Sequence, residues 1–142
     1  MNRVRVGTSG WSYPSGDGTW NGIFYPEKKS KTFDELGFYA EHFDTVEVNS
    51  SFYRVPAIKT TQDWVKRTPA RFEFSLKLFQ KFTHPDMFLK ATGNDPADLD
   101  HKDVDEFRTA IEPIAATSKL SALLAQFPTS FKNEPKSRDY LA

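Results

Sequence analysis

Four short apolar stretches occur along the chain, and each has the pattern of a β-strand. The segments Thr45–Asn49 and Arg71–Lys77 alternate apolar and polar residues with a period of two, which places every second side chain on one face of a strand. Val4–Gly7 is a shorter run that ends in a turn-prone segment, and Leu120–Phe127 is nearly continuous apolar sequence before Pro128. A continuous apolar run is typical of a strand covered on both faces. The pattern therefore predicts four strands.

The segments between these strands have the periodicity of amphipathic helices. A first helix is predicted behind Thr32 and Glu35, whose spacing is that of a capping box. A short second helix is predicted over about residues 61–67, and a third contains Pro113, which should kink it. The apolar residues at helical spacing are Phe33, Leu36, Ala40 and Phe43 in the first helix and Val104, Phe107, Ile111 and Ile114 in the third. Residues 132–142 have the character of the start of a further helix.

Strands and helices alternate along the chain, and this order predicts an α/β fold with a parallel sheet and crossover helices. Such a chain forms either an open doubly wound sheet or a TIM (β/α)₈ barrel. A barrel needs about 250 residues, so a chain of 142 residues would supply only the first four βα units. Residues 1–142 would then be the N-terminal half of a single TIM-barrel domain, a fragment truncated after the fourth strand.

The predicted second and third strands each have one polar and one apolar face. Glu47 and Asn49 share a face opposite two valines, and Glu73, Ser75 and Lys77 share a face opposite Phe and Leu side chains. Helices outside the sheet require the apolar face, so the polar face should point inward. A buried charge is costly unless it is paired or binds a ligand, and a barrel interior offers such groups a shared site. The polar face therefore favours the barrel over the open sheet.

Composition narrows the classes of function. The chain is 38% hydrophobic and 15% aromatic, and 19 Lys and Arg residues balance 19 Asp and Glu residues. Zero net charge without a basic stripe argues against a nucleic-acid partner, and the absence of cysteine excludes disulfides and thiolate chemistry. The first residues contain no apolar run long enough for a signal peptide or a membrane span. We therefore expect a cytoplasmic protein with no membrane partner.

Polar and aromatic residues are concentrated in the segments that follow the predicted strands. Glu47, Lys77 and His84 are the candidate catalytic residues, because a carboxylate near an amine separates two pKa values and an imidazole suits proton transfer. The candidate substrate-binding residues are Trp11, Tyr13, Asn49, Tyr53, Arg54 and Gln126. The three histidines lack the spacing of metal ligands, so no metal site is predicted, and no cofactor is assigned.

Structural interpretations of these residues remain open. Trp11 and Tyr53 could pack at the rim of the barrel instead of stacking on a ligand. Glu47 could simply pair with Lys77 inside the barrel, and His84, which precedes Pro85, could serve only to fix a loop.

Four blocks of sequence, in the same order, resemble the YecE-like family, also called domain of unknown function seventy-two. The blocks are Gly7–Pro14 with Ile23–Pro26, Phe43–Pro56, Phe74–Lys77 with Phe82–His84, and Leu124–Phe131. The resemblance covers nearly the whole chain and implies a TIM barrel of about 250 residues. It also implies a relation to sugar isomerases, but it supplies no set of catalytic residues. The chain departs from the family pattern in ending after the fourth strand and in a longer turn over Ser15–Asn21.

These observations favour an enzyme that acts on a small polar substrate, such as a sugar or a sugar phosphate. Aromatic planes beside hydroxyls and amides suit a sugar ring, and Arg54 and Lys77 would also suit a phosphate or carboxylate. The alternatives are a non-catalytic ligand-binding or interaction protein that uses the same residues, and an inactive truncated fragment.

The sheet edges predict a macromolecular partner. Unpaired strand edges template association, so we expect pairing with the missing C-terminal half-barrel or self-association through the exposed edges. Because a half-barrel also lacks the opposite wall of the barrel, Trp11, Phe52 and Phe131 should be partly exposed.

Overall fold

Four parallel strands form one sheet in the order in which they occur along the chain. The computed structural model describes residues 4–94 and 99–142. Its strands are β1 (Gly7–Ser9), β2 (Thr45–Val48), β3 (Glu73–Lys77) and β4 (Leu120–Leu124). β2 and β3 are neighbours in which Glu47 is paired with Ser75 and Val48 with Leu76. The predicted α/β fold with a parallel sheet is confirmed.

Helices connect the strands and cover one face of the sheet. The helices of the described segments are α1 (Glu35–His42), α2 (Ser50–Tyr53), α3 (Ile58–Lys66), α4 (Gln80–Thr83), α5 (Pro85–Thr92), α6 (His101–Ala116) and α7 (Pro135–Leu141). The periodicity predicts α1, α3 and α6, and α7 lies in the predicted C-terminal helical segment. It does not predict α2, α4 or α5, because such short helices give too few repeats. Within residues 4–94 and 99–142, no helix combines the length and apolar character needed to cross a membrane.

The apolar face of the sheet forms the core. Val46, Val48, Phe74 and Leu76 are at most 1% exposed, and burial of a side chain of this size contributes roughly 1.5–3 kcal/mol. The helix residues packed in the same cluster are Leu36, Tyr39, Ala40, Trp64, Phe107, Ile111 and Ile114. The predicted division of β2 and β3 into an apolar face against the helices and an opposite polar face is confirmed.

The start of α1 differs from the predicted capping box. Asp34 is the N-cap, and its Oδ1 accepts a hydrogen bond from Gly37 N at 2.9 Å. The Arg67 guanidinium also donates to Asp34 Oδ1, which holds the pKa of this carboxyl below its usual range. Thr32 instead forms a hydroxyl contact with Ser30 at 3.2 Å. The predicted pairing of Thr32 with Glu35 is wrong, because Asp34 offers the helix a charged acceptor that a second residue also stabilises.

The first strand begins later than predicted, at Gly7. A side chain at Gly7 would collide with Thr45 O, so glycine permits the close approach of β1 to β2. The Tyr39 hydroxyl from α1 also holds this strand: it accepts a hydrogen bond from Thr8 N at 2.8 Å and contacts Thr45 O at 3.1 Å.

The fourth strand ends at Leu124 rather than continuing to Phe127. The reason is that Phe127 leaves the sheet and stacks on Phe131, with ring centres 4.2 Å apart. Apolar character alone does not distinguish a residue in the strand from a residue packed beyond it.

Lys119 is a buried cation immediately before β4. Its Nζ donates hydrogen bonds to Val65 O at 2.9 Å, Thr68 O at 2.7 Å and Thr68 Oγ1 at 2.9 Å. Burial lowers the pKa of Lys119. These bonds satisfy carbonyl groups that the C-terminal end of α3 leaves without helical partners, and they tie α3 to the sheet.

Candidate functional site

A hydrogen-bonded carboxylate lies on the polar face of the sheet where β1 and β2 end. Ser9, the last residue of β1, is paired with Glu47 in β2. Ser9 Oγ donates to Glu47 Oε1 at 3.2 Å, and Asn49 Nδ2 donates to Ser9 Oγ. The bonds from Asn49 through Ser9 to Glu47 fix the direction of the carboxylate, whose Oε2 has no hydrogen-bond partner in the described part of the chain.

The turn after β1 holds Ser9 in place. Gly10 has a φ of 89°, a left-handed conformation that favours glycine, and its amide donates to Glu47 O at 2.9 Å. The Tyr13 hydroxyl donates to Ser9 O, and the Tyr13 ring lies against Trp20 with ring centres 4.8 Å apart. Tyr13, predicted to bind substrate, therefore also supports the residue that orients Glu47.

A second polar group lies at the end of β3. Lys77 Nζ is 4.5 Å from the centre of the Phe52 ring, and His84 contacts the same ring edge-on, with ring centres 5.0 Å apart. Ser51 Oγ in α2 donates to Lys77 O at 2.7 Å and anchors this arrangement to β3. Phe52 is only 4% exposed, so the predicted exposure of this ring is wrong: the side chains of Lys77 and His84 pack against it.

The surroundings of His84 favour its neutral imidazole form. Burial and, to a smaller extent, the charge of Lys77 lower the pKa of His84. Its Nδ1 is 2.9 Å from the Thr83 hydroxyl. Its Nε2 has no hydrogen-bond partner among the described residues, and an imidazole held in this way can exchange a proton with a ligand.

Glu47 and Lys77 do not pair with each other. Within residues 4–94 and 99–142, neither side chain forms an ion pair. Lys77 follows Leu76, which is paired with Val48, so the two charged groups lie diagonally on neighbouring strands and on the same face. The carboxylate and the ammonium are therefore separate, and each is accessible to a ligand.

The other predicted substrate-binding residues are more scattered. Trp11 packs edge-on against Trp64 at 5.4 Å and contacts the core. Tyr53 is 68% exposed and contacts Phe52 edge-on at 5.1 Å. Arg54 and Gln126 are exposed, and neither side chain forms a hydrogen bond or ion pair with a described residue. Two groups of predicted residues thus come together. Asn49 is connected to Glu47 by hydrogen bonds through Ser9, and Lys77, His84 and Tyr53 all contact the ring of Phe52.

A cavity of about 780 Å³ lies beside His84, within the size range of small-molecule sites, roughly 300–1,000 Å³. It separates α4 and α5 from the C-terminal segment that contains α7. The stacked rings of Phe127 and Phe131 form part of its wall. Tyr140 in α7 donates its hydroxyl to Phe82 O at 2.5 Å and connects the two walls. Among the predicted site residues, His84 lines this cavity.

The described residues contain no group of three or more His, Asp or Glu side chains arranged to hold a metal ion.

Residues 5–142 match the family described as Protein of unknown function DUF72. The chain belongs to the DUF72 family. Among its relatives, UPF0759 protein YunF of Bacillus subtilis (strain 168) is 30% identical over 138 residues, which cover 97% of this chain and 44% of YunF. The chain thus spans less than half of the length of this relative.

Solved DUF72 structures have a similar fold. A crystal structure of a DUF72 family protein from Thermotoga maritima MSB8 superposes with a TM-score of 0.68 at 33% identity, covering 96% of this chain and 49% of that protein. A DUF72 family protein from Enterococcus faecalis V583 gives a TM-score of 0.74 at 24% identity, covering 96% and 44% of the respective chains. These similarities agree with the α/β fold of the chain.

Several residues that build the site in this DUF72 chain are not candidates from sequence alone. Ser9 and Phe52 connect predicted residues to each other, and Phe127, Phe131 and Tyr140 form part of the cavity. The position of Ser9 directly after a predicted strand is a usable signal for its role. The connecting role of Phe52 has no such signal, because it depends on how α2 packs against β3.

Proposed function

We propose that this DUF72 chain carries part of the substrate site of an enzyme that acts on a small polar molecule such as a sugar. The observation that carries the proposal is the oriented, unpaired carboxylate of Glu47 on the same sheet face as the unpaired ammonium of Lys77. Polar side chains that keep free hydrogen-bonding atoms at the ends of parallel strands are typical of α/β active sites.

Each predicted residue has a role in this proposal. Glu47 is the general acid or base, Lys77 stabilises negative charge, and His84 exchanges a proton through Nε2. Asn49 holds Ser9 against Glu47, while the exposed side chains of Arg54 and Gln126 orient the substrate. The aromatic rings of Trp11, Tyr13 and Tyr53 would contact the substrate through their faces.

We also propose that the sheet is half of a TIM (β/α)₈ barrel. Its strands are parallel and consecutive, and α1, α3 and α6 cover the face opposite Glu47 and Lys77. The chain spans 44% of YunF, which leaves length in such a relative for four further βα units. In a closed barrel the polar face would become the interior, as the alternation of β2 and β3 predicts.

The edges of the sheet support a partner for this chain. Both β1 and β4 have a neighbour on one side only, and Leu123 in β4 is 46% exposed. We expect the 142-residue chain alone to self-associate through these edges or to pair with a complementary half-barrel. Light scattering tests this proposal, and a monodisperse monomer that unfolds in one steep transition would contradict it.

The functional proposal is tested by screening sugars and polyols for thermal stabilisation of the chain, alone and joined to the remaining length of a DUF72 relative. Glu47→Gln should weaken the apparent affinity for a ligand, measured from its thermal stabilisation of the chain, at least about tenfold. The reason is that the variant loses a charge-assisted hydrogen bond. Ser75→Ala, on the same face, is the matched control and should retain binding. Conversion of the bound compound would identify an enzyme. Binding without conversion would identify a ligand-binding protein. Equal binding by Glu47→Gln and the native chain would refute the role of Glu47.

A further inference from the structure

Lys77 differs from the other partly buried cations of this chain. Lys81 donates to both carboxylate oxygens of Asp103 at 2.9 Å, and Lys29 pairs with Glu35. Lys77 lies over the Phe52 ring and has no carboxylate partner in the described segments. A cation–π contact compensates only part of the lost hydration of an ammonium group. A half-buried ammonium without an anion is therefore incompletely satisfied.

His84 packs against the same Phe52 ring as Lys77. The ring of Phe52 contacts both Lys77 and His84, and the pKa of His84 is lowered by burial and then by the charge of Lys77. Two groups that would repel each other as cations are thus held near one another by an apolar ring. An anion bound between them would remove this repulsion and would favour the imidazolium form of His84.

The cavity is lined by His84 and by Phe127 and Phe131, and Lys77 is not one of its lining residues. Its volume of about 780 Å³ exceeds that needed for a simple inorganic anion. Stacked aromatic rings along the wall present flat apolar faces to a ring-shaped group. The charged residues that line the cavity are of both signs: Lys81, Asp86, Lys90, Glu134 and Lys136. Because these charges nearly balance, they do not select an anion by themselves.

We infer that Lys77 and His84 bind the phosphate or carboxylate group of a substrate whose ring occupies the cavity beside Phe127 and Phe131. This inference rests on the proposed function and narrows its substrate class to cyclic organic anions. Lys77 would supply the fixed positive charge, and His84 would donate a hydrogen bond from Nε2 after protonation. Glu47 is not part of this anion site.

The test is an NMR titration of the histidine ring protons in the 142-residue chain, with and without phenyl phosphate. A His84→Gln variant assigns the His84 signal, and His42 and His101 serve as internal references. Phenyl phosphate should raise the pKa of His84 and leave the ring-proton chemical shifts of His42 and His101 at a fixed pH unchanged. Benzoate replaces phenyl phosphate in a parallel titration, so that a larger response to one probe identifies phosphate or carboxylate as the preferred group.

Variants separate the two parts of the inferred site. Lys77→Met should weaken phenyl phosphate binding about tenfold or more and remove the anion-dependent change at His84, whereas Lys77→Arg should retain most of the binding. Lys90→Met is the matched control on the cavity wall. A loss of binding in Lys90→Met with none in Lys77→Met would overturn the assignment. Circular dichroism spectra of each variant establish that the fold is retained.

Two comparisons of ligands can also overturn the inference. If phenol binds as tightly as phenyl phosphate, the anion contacts are wrong. If inorganic phosphate binds as tightly as phenyl phosphate, the ring does not occupy the cavity. A failure of the anion site is measured with Lys77→Met and phenyl phosphate, and a failure of the proposed role of Glu47 with Glu47→Gln and sugars or polyols, so the two failures are distinct.

Discussion

On one face of the sheet, Val46, Val48, Phe74 and Leu76 are almost completely buried against helices, whereas Glu47, Ser75 and Lys77 on the other face remain partly accessible. The residues alternate along the same two strands, so neighbours in sequence have opposite environments. The apolar face is satisfied by contacts within the described chain. The polar face retains an unpaired carboxylate and an unpaired ammonium.

This difference separates stability from function within single strands. Dispersion and hydrophobic burial determine which residues the core face accepts. Hydrogen-bond direction and charge determine what the polar face can bind. Substitutions of adjacent residues should therefore have unequal effects on the free energy of unfolding, and the following experiments measure how sharp the division is.

The largest difference is expected between Phe74→Ala and Ser75→Ala. Phe74→Ala should lower the free energy of unfolding by about 3–5 kcal/mol, because it leaves a cavity in the core. Ser75→Ala removes only a hydroxyl contact with Ser121 at 3.0 Å and should cost less than about 1 kcal/mol. Urea denaturation of the two variants measures the ratio. Similar losses would show that the polar face is packed as tightly as the core.

A smaller effect is expected for Lys119→Met. The variant leaves carbonyl groups of Val65 and Thr68 without their donor and should lose about 2 kcal/mol. Lys66 is an exposed lysine in the last turn of α3, and Lys66→Met should therefore lose little stability. If Lys119→Met were as stable as the native chain, the methionine side chain would compensate fully for the loss of the ammonium group.

The pH dependence of the native chain relative to Lys119→Met provides a second readout. Burial lowers the pKa of Lys119, so between the folded and unfolded pKa values the unfolded chain binds more protons. Stability of the native chain should therefore rise, relative to the variant, as the pH increases toward the ordinary pKa of lysine. A relative fall over this range would contradict the effect of burial.

At α1, which covers the core face, Asp34→Ala should cost about 1 kcal/mol and Thr32→Ala less than about 0.5 kcal/mol. The pKa of Asp34 is lowered mainly by Arg67. Its contribution is therefore present above the ordinary pKa of aspartate and is lost as the pH falls through the lowered value. Urea melts at neutral and acid pH compare the variants. A greater loss of stability in Thr32→Ala than in Asp34→Ala would support the capping box that the sequence predicts.

The smallest effect on stability is expected for Glu47→Gln. Glutamine can still accept the hydrogen bond from Ser9, and no ion pair is broken, so the loss should be below about 0.5 kcal/mol. Removal of one partner of a buried ion pair would instead cost about 3–5 kcal/mol. A loss of that size in urea melts would assign Glu47 a structural role and would remove the distinction between the two faces at this position.

Sequence periodicity predicts the faces of β2 and β3 because the alternation of side chains is a local property. The parallel sheet follows from the order of strands and helices. The contact between Ser9 and Glu47 does not follow in this way, because it requires the register of two strands that are distant along the chain. The arrangement of Lys77, Phe52 and His84 depends in addition on the short helices α2 and α4. Residue types thus indicate candidate chemistry, whereas register and packing decide which candidates meet.

The hydroxyl of Tyr39 has a consequence for the dynamics of the N-terminal strand. It holds the amide of Thr8 while its ring is buried in the core. Solvent can therefore exchange the Thr8 amide proton only when β1 separates from α1 or when the ring leaves its site. A strand of three residues is in this way coupled to the opening of a helix that lies well beyond it in the sequence. Exchange of one backbone proton near the N-terminus becomes a direct report on the integrity of the aromatic core.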